Sequence, residues 1–292
     1  MKIFDTHSHY NLAPFSPGDW EKHWQKAQEH GVVASVVIGT TFAESSLATQ
    51  IAATDPRLGA AIGIHPAEYN QTAVGALQRN TGLASTALND ATEDALEDIQ
   101  TDMEELQLIF AKEVVAIGET GLDYYHFQNS SDMEKEFIKT VQRAALHAHL
   151  RLADGKVPVI LHVRDQADEA YEDVLHILKE ENYTGPFILH CVSGPLEYIR
   201  EALAMGAYVS VAGNVTYKSA DHLRSIVASV PANRLLVETD APFLPPVPYR
   251  GKDCEPWMIS KTMEYLVQEL KIDSDQVLAN SYRLFPTLQS PE

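Results

Sequence analysis

Eight short apolar runs alternate with eight longer amphipathic segments along this chain, and few architectures accommodate that order. The runs fall at residues 3–4 (leading into Asp5-Thr6-His7-Ser8-His9), 32–39, 58–64, 114–118, 157–163, 187–192, 207–212 and 235–239. Helical patterns occupy 20–30, 42–53, 92–111, 132–152, 168–180, 196–205, 220–230 and 257–270, and a short helix near 275–284 follows the last of them. The run 32–39 is continuous and rich in valine, as a strand covered on both faces should be. Strict alternation implies a parallel sheet. Eight units in 292 residues imply a closed (β/α)8 barrel of the TIM type, an α/β fold. An open doubly wound sheet is the rival, but no glycine-rich phosphate loop follows the first strand. No linker divides the chain, so 1–292 reads as one barrel domain.

One shift of composition interrupts it. Residues 71–110 carry eight acids (Asp90, Glu93, Asp94, Glu97, Asp98, Asp102, Glu104, Glu105) against one base, Arg79. Residues 68–89 have weak periodicity. The stretch 68–110 therefore reads as an acidic surface insertion with an acidic helix face. Over the whole chain the formal net charge is −19. That balance argues against a broad sequence-independent grip on nucleic acid, which works by neutralising phosphates. It leaves room for a small site whose metals supply the positive charge. Hydrophobic residues at 45% are enough for a sizeable core. With two cysteines, Cys191 and Cys254, there is no disulfide framework. No signal peptide and no membrane-length apolar stretch are visible. The expectation is a cytoplasmic protein, monomeric and without a membrane partner.

Active-site residues of a parallel barrel come from the C-terminal ends of its strands. In this sequence the first strand ends in His7 and His9, the third in His65, the fourth in Glu119 and then Asp123. The fifth ends in His162 and then Arg164, the sixth in His190, the eighth in Glu238 and Asp240. His7 and His9 are two apart on a strand and share a face. Glu119 follows an apolar run, where a buried carboxylate is costly without a cation. His162 and His190 each close an apolar strand; either alone could be a core histidine, and the pair at matching strand ends favours a site. Asp240 could touch a metal or cap a helix. Imidazoles and carboxylates without thiolates suit Zn, Mn, Fe or Mg. Six ligands (His7, His9, Glu119, His162, His190, Asp240) exceed one tetrahedral ion and suit two divalent ions about 3.5–4 Å apart, with Asp240 acting on the attacking water. In that role such ions lower the pKa of water towards ~7.

The motifs Asp5-Thr6-His7-Ser8-His9, Gly63-Ile64-His65-Pro66, Gly118-Glu119-Thr120-Gly121-Leu122-Asp123, Pro158 to Asp165, Leu189-His190-Cys191, Glu238-Thr239-Asp240-Ala241-Pro242-Phe243-Leu244 and Arg250-Gly251-Lys252 occur in one order. In this the chain resembles the TatD family of metal-dependent deoxyribonucleases, within the amidohydrolase-like barrels, over nearly its whole length. The resemblance implies hydrolysis of phosphodiester bonds, often from a 3′ end, with single-stranded DNA as the favoured substrate. It implies that His7, His9, Glu119 and Asp240 hold one metal (Mg, Mn or Zn) and Glu119, His162 and His190 a second. His65, Arg164, Arg250 and Lys252 would lie around the substrate phosphates. Val192 departs from the aromatic residue usual after the His-Cys pair, and 68–89 is longer than the family norm. Two other readings stay open. One is hydrolysis of another ester or amide bond, as in D-aminoacyl-tRNA deacylation, although many relatives in the wider group place lysine where Glu119 stands. The other is a non-catalytic metal-binding protein.

Overall fold

Residue by residue, the strand side chains sort into two layers. In the computed structural model, which describes residues 1–16, 18–80, 87–127 and 130–288, the strands are β1 (Ile3–Ser8), β2 (Val32–Ile38), β3 (Leu58–Ile62), β4 (Val114–Asp123), β5 (Val159–Arg164), β6 (Phe187–Leu189), β7 (Tyr208–Val211) and β8 (Leu235–Val237). They form one parallel sheet in chain order. Between and after them run α1 (Trp20–Glu29), α2 (Phe42–Ala52), α3 (Glu68–Arg79), α4 (Ala87–Leu108), α5 (Asp132–Ala153), α6 (Glu169–Glu180), α7 (Leu196–Ala204), α8 (Asp221–Ser229), α9 (Ile259–Gln268) and α10 (Ser274–Leu284). Side chains alternate across each strand. Ile3, Val159, Leu161, Phe187, Leu189, Leu235 and Val237 pack outward under the helices. Phe4, Val36, Ile160, Ile188 and Leu236 turn inward. Both faces are covered, which is why the strands read as unbroken apolar runs.

The sheet curls into a nearly closed barrel, and its seam is made differently from its other joints. Between β8 and β1 the structure has a single bridge, Ser8 to Ala241, flanked by His9 N–H donating to the Ala241 carbonyl and Asp240 N–H donating to the His7 carbonyl, both 2.9 Å. A buried carboxylate completes the joint. Asp5 accepts from Thr239 N–H at 2.9 Å and from Thr239 Oγ1 at 2.6 Å. Burial pushes the Asp5 carboxyl up to about 7, against the opposing pull of those bonds.

The N-terminal mouth is floored by the end of the chain. Leu284, Phe285 and Leu288 join the inward cluster, and Phe285 stacks on Phe4 with ring centroids 5.6 Å apart. Asn280 Nδ2 ties α10 to the start of β8 by donating to the Ala232 and Leu235 carbonyls, 2.8 and 2.9 Å. Phe285→Ala is expected to cost about 3–5 kcal/mol. A urea midpoint unchanged from the parent would show that the floor is not part of the core.

The region between β3 and β4 differs from the sequence expectation. Residues 68–79 form a regular helix, α3, whose buried face is Tyr69, Ala73 and Ala76, spaced four and three apart. Two of the three are alanines, which carry little hydrophobic signal, so the periodicity was faint. Helix α4 begins at Ala87, five residues before the expected Thr92, and buries Ala91, Ala95, Ile99, Met103 and Leu106. Both helices pack against each other and against α5. Residues 81–86 of the acidic stretch lie outside the described residues. The fourth strand also runs on past Gly118 to Asp123.

Candidate metal centre

Glu119 enters the barrel mouth because β4 steps out of register there. Its pairing with β5 shifts between Ile117 and Thr120, and Glu119 N–H donates to the Gly39 carbonyl above the end of β2, 3.0 Å. Gly118 permits the step: at φ +148°, a Cβ there would lie 2.8 Å from the Ile160 backbone oxygen. The carboxylate that results is buried, and its two oxygens face different histidines. Oε1 lies 2.8 Å from His162 Nδ1, 3.3 Å from His190 Nε2 and 3.6 Å from His65 Nε2. Oε2 lies 3.4 Å from His7 Nε2.

On the Oε2 side, β1 and the turn after β8 bring together His7, His9 and Asp240. Asp240 Oδ1 stands 3.6 Å from His7 Nε2 and 3.5 Å from His9 Nε2, and the two imidazole nitrogens face each other at 3.2 Å. A carbonyl can only accept, so His9 Nδ1, 3.2 Å from the Ile38 carbonyl, carries the proton. The lone pair on His9 Nε2 is thus turned into the cluster. His7 stacks on His190 at 3.7 Å, linking the two sides.

Two of the histidines on the Oε1 side, His162 and His190, have a second carboxylate behind them. His162 Nε2 is 3.1 Å from Asp123 Oδ2, leaving Nδ1 towards Glu119. His190 Nδ1 is 3.0 Å from Glu238 Oε1, which also accepts from Cys191 N–H at 2.6 Å. This places Asp123 and Glu238 as orienting groups for imidazoles. Sequence reading noted both at strand ends without giving them a role. The signal was their spacing, four residues beyond Glu119 and two before Asp240. His126 was not noted at all, and its ring Nδ1 lies 2.6 Å from Asp123 Oδ2.

The electrostatics are those of a cation site. Glu119, Asp123, Glu238 and Asp240 are all buried, and the charged side chains paired with them are imidazoles, not Lys or Arg. Burial alone would raise Glu119, yet His190, His162 and His65 hold it well below the usual carboxylate range. Burial likewise opposes protonation of His162, but Asp123 and Glu119 raise it to about 9. Burial and the neighbouring His162 lower His65 to about 3. Four overlapping sets among the described residues converge closely enough to hold an ion: His7, His9 and Asp240; Glu119, His162 and His190; His7, His190 and Glu238; and His65, Asp123 and His162. Buried carboxylates clustered with imidazoles fit divalent metal by the chemistry of the donor set, the ion replacing the protons that such imidazoles otherwise hold.

The remaining residues expected at the site divide. His65 lies within the cluster, its ring edge-on to His162 at 4.4 Å. Arg164 lines the cavity above the cluster, a space of about 640 Å³, with its guanidinium 4.2 Å from the Tyr125 ring centre. Arg250 and Lys252 lie outside that wall, on the exposed turn after β8. Arg250 sits 4.6 Å from the Tyr217 ring centre and Lys252 5.9 Å from that of Tyr249. Asp123→Asn is expected to weaken metal affinity ~10–100-fold. Competition with a chelating indicator checks this, and parent-like affinity would remove Asp123 from the centre.

An eight-stranded parallel barrel with this cluster at the C-terminal ends of its strands is the arrangement of a metal-dependent hydrolase. The chain belongs to the TatD family: the model described as TatD related DNase matches residues 4–288. It is similar to the uncharacterized metal-dependent hydrolase YabD of Bacillus subtilis, 32% identical over 289 residues, which cover 97% of this chain and 98% of YabD. The crystal structure of YJJV, a TatD homologue from Escherichia coli K12, superposes with a TM-score of 0.72 at 27% identity, covering 97% of this chain and 98% of that one. A mutant organophosphorus hydrolase from Deinococcus radiodurans shares the fold, with a TM-score of 0.57 at 14% identity over 97% of this chain and 92% of that one. No helix among the described residues is long and apolar enough to cross a membrane.

Proposed function

We propose that this hydrolase cleaves phosphodiester bonds of single-stranded DNA from a 3′ end, using two divalent ions. The observation that carries the two-ion reading is the split of Glu119: Oε1 faces His162 and His190 while Oε2 faces His7. In this reading His7, His9, Asp240 and Glu119 hold one ion, and Glu119, His162 and His190 the other. When bound, such ions supply Lewis acidity and make hydroxide available near neutral pH. Asp240, at the cavity wall, orients the attacking water and takes its proton. Asp123 and Glu238 fix the rings of His162 and His190. Arg164 meets a substrate phosphate at the cavity, while Arg250 and Lys252, further out, meet phosphates along the strand. The description of the matching family supports the nucleic-acid substrate.

The test is elemental analysis joined to a nuclease assay on single-stranded DNA, with and without chelator, adding back Mg, Mn and Zn separately. Nucleotide release that chelator abolishes and one of these ions restores is expected. No release with any ion would overturn the substrate. The net charge of −19 favours a second reading, hydrolysis of another ester or amide bond in a small substrate; D-aminoacyl-tRNA deacylation belongs to the same bond class without that support from charge. An ester and amide panel on the same preparations separates the two.

A further inference from the structure

The cavity above the metal centre has one apolar aromatic wall residue. Among the described lining residues the rings are those of His9, His65, His126, His162, His190 and Phe243. Phe243 is 51% exposed, whereas Phe4, Phe15, Phe127, Phe137, Phe187 and Phe285 are buried and Phe42 and Phe110 partly so. A phenyl ring left half in water inside a catalytic cavity is an uncovered apolar surface, and such surfaces mark ligand contacts. The turn that carries the ring is tied to the metal centre by its backbone. Phe243 N–H donates to the Asp240 carbonyl at 2.7 Å, and His9 meets it at a steep angle with centroids 6.0 Å apart. On the β6 side, the wall position carries Val192, which is buried and offers no ring.

A second residue on the same side of the cavity is unsatisfied. Asn214 lies in the short 3-10 turn Gly213–Thr216 after β7 and lines the cavity. Its Oδ1 has no hydrogen-bond partner among the described residues, and its Nδ2 has only a 4.0 Å contact to Cys191 Sγ. Nothing strong fixes that amide. The two residues sit on adjoining turns: a Cβ on Gly213 would lie 2.3 Å from the Leu244 carbonyl oxygen. A rotatable amide beside an exposed phenyl ring matches a flat heterocycle that carries both a π-face and a hydrogen-bonding edge.

We propose that Phe243 and Asn214 form a nucleobase subsite, stacking and edge-reading the terminal base next to the scissile phosphate. The inference rests on the nuclease reading above and names the part of the substrate that reading leaves open. Phe243 supplies a sequence-tolerant stacking surface, and rotation of the Asn214 amide into the cavity supplies a donor and an acceptor to the base edge.

The experiment uses the metal-loaded protein and a short single strand bearing 2-aminopurine at its 3′ end and a cleavage-resistant terminal phosphorothioate. Binding by the parent should quench the 2-aminopurine. Phe243→Ala should weaken binding about tenfold or more and relieve the quench, and Phe243→Trp should restore both. Asn214→Ala should weaken binding less, by roughly fivefold. In turnover, the preference of the parent for a base-bearing 3′ terminus over an abasic one should fall towards unity in Phe243→Ala. Metal content, measured alongside, shows that His9 is undisturbed. Equal affinity of the parent for base-bearing and abasic ends, with nuclease activity present, would overturn the subsite and leave the nuclease reading standing. If the parent neither binds nor cleaves the strand yet turns over an ester, the nuclease reading falls and the subsite with it.

Discussion

Replacing Glu119 by Ala should empty the whole centre, while replacing His162 by Ala should empty only half of it. The difference follows from the two carboxylate oxygens, which face separate groups of histidines. Removing Glu119 takes a ligand from both groups and leaves His7, His162 and His190 without a shared anion. Removing His162 leaves His7, His9 and Asp240 as they are. Metal analysis should read close to none bound in the first variant and about half the parental content in the second. Hydrolytic activity in Glu119→Ala should fall by ~10³-fold or more, since Lewis-acid stabilisation is worth several kcal/mol. Circular dichroism should show both variants folded. The same loss of metal in each would contradict a bridging role for Glu119.

Asp240→Asn should separate metal binding from water activation. Asparagine keeps the shape and one oxygen at the position that lies 3.5 Å from His9 Nε2. It cannot take a proton. Burial opposes ionisation of Asp240, but His9, His190 and His7 outweigh it and hold its pKa below the usual value. The group is therefore a carboxylate at neutral pH, available as a base. Activity is expected to fall ~10²–10⁴-fold while most of the metal remains. Parental activity with full metal content would remove Asp240 as the base; activity lost in proportion to metal would make it a ligand only.

Much of this was legible from strand ends. Histidine and acid residues that terminate apolar runs must project into the mouth if the runs form a parallel barrel, so His7, His9, Glu119, His162, His190 and Asp240 could be grouped before any distance was known. What could not be read was the direction each ring faces. His65, expected among phosphate contacts, lies 3.6 Å from Glu119, its backbone N–H tied to the Thr40 carbonyl beyond β2. Arg250 and Lys252 follow a motif in sequence yet sit beyond the cavity wall, since the turn after β8 carries them outward. Asp123 and Glu238 act through other side chains, and pairings across the barrel leave no local periodicity. Helix α3 was faint for a different reason: a face of alanines packs closely without standing out in hydropathy. The seam and floor joining residues 3–9 to 239–241 and 284–288 were hidden by distance along the chain.

The floor has a consequence for biosynthesis. Phe4 is synthesised about 280 residues before its stacking partner Phe285. At about 5–20 residues per second the first strand waits roughly 15–60 s for the group that closes the barrel beneath it. Until then the inward face of Phe4, Val36 and Ile160 has no floor, and until residues 239–241 are made the edge of β1 has no seam. Apolar barrel surface is thus uncovered for most of that interval, and ribosome stalling between β8 and Phe285 would prolong the state most prone to aggregate.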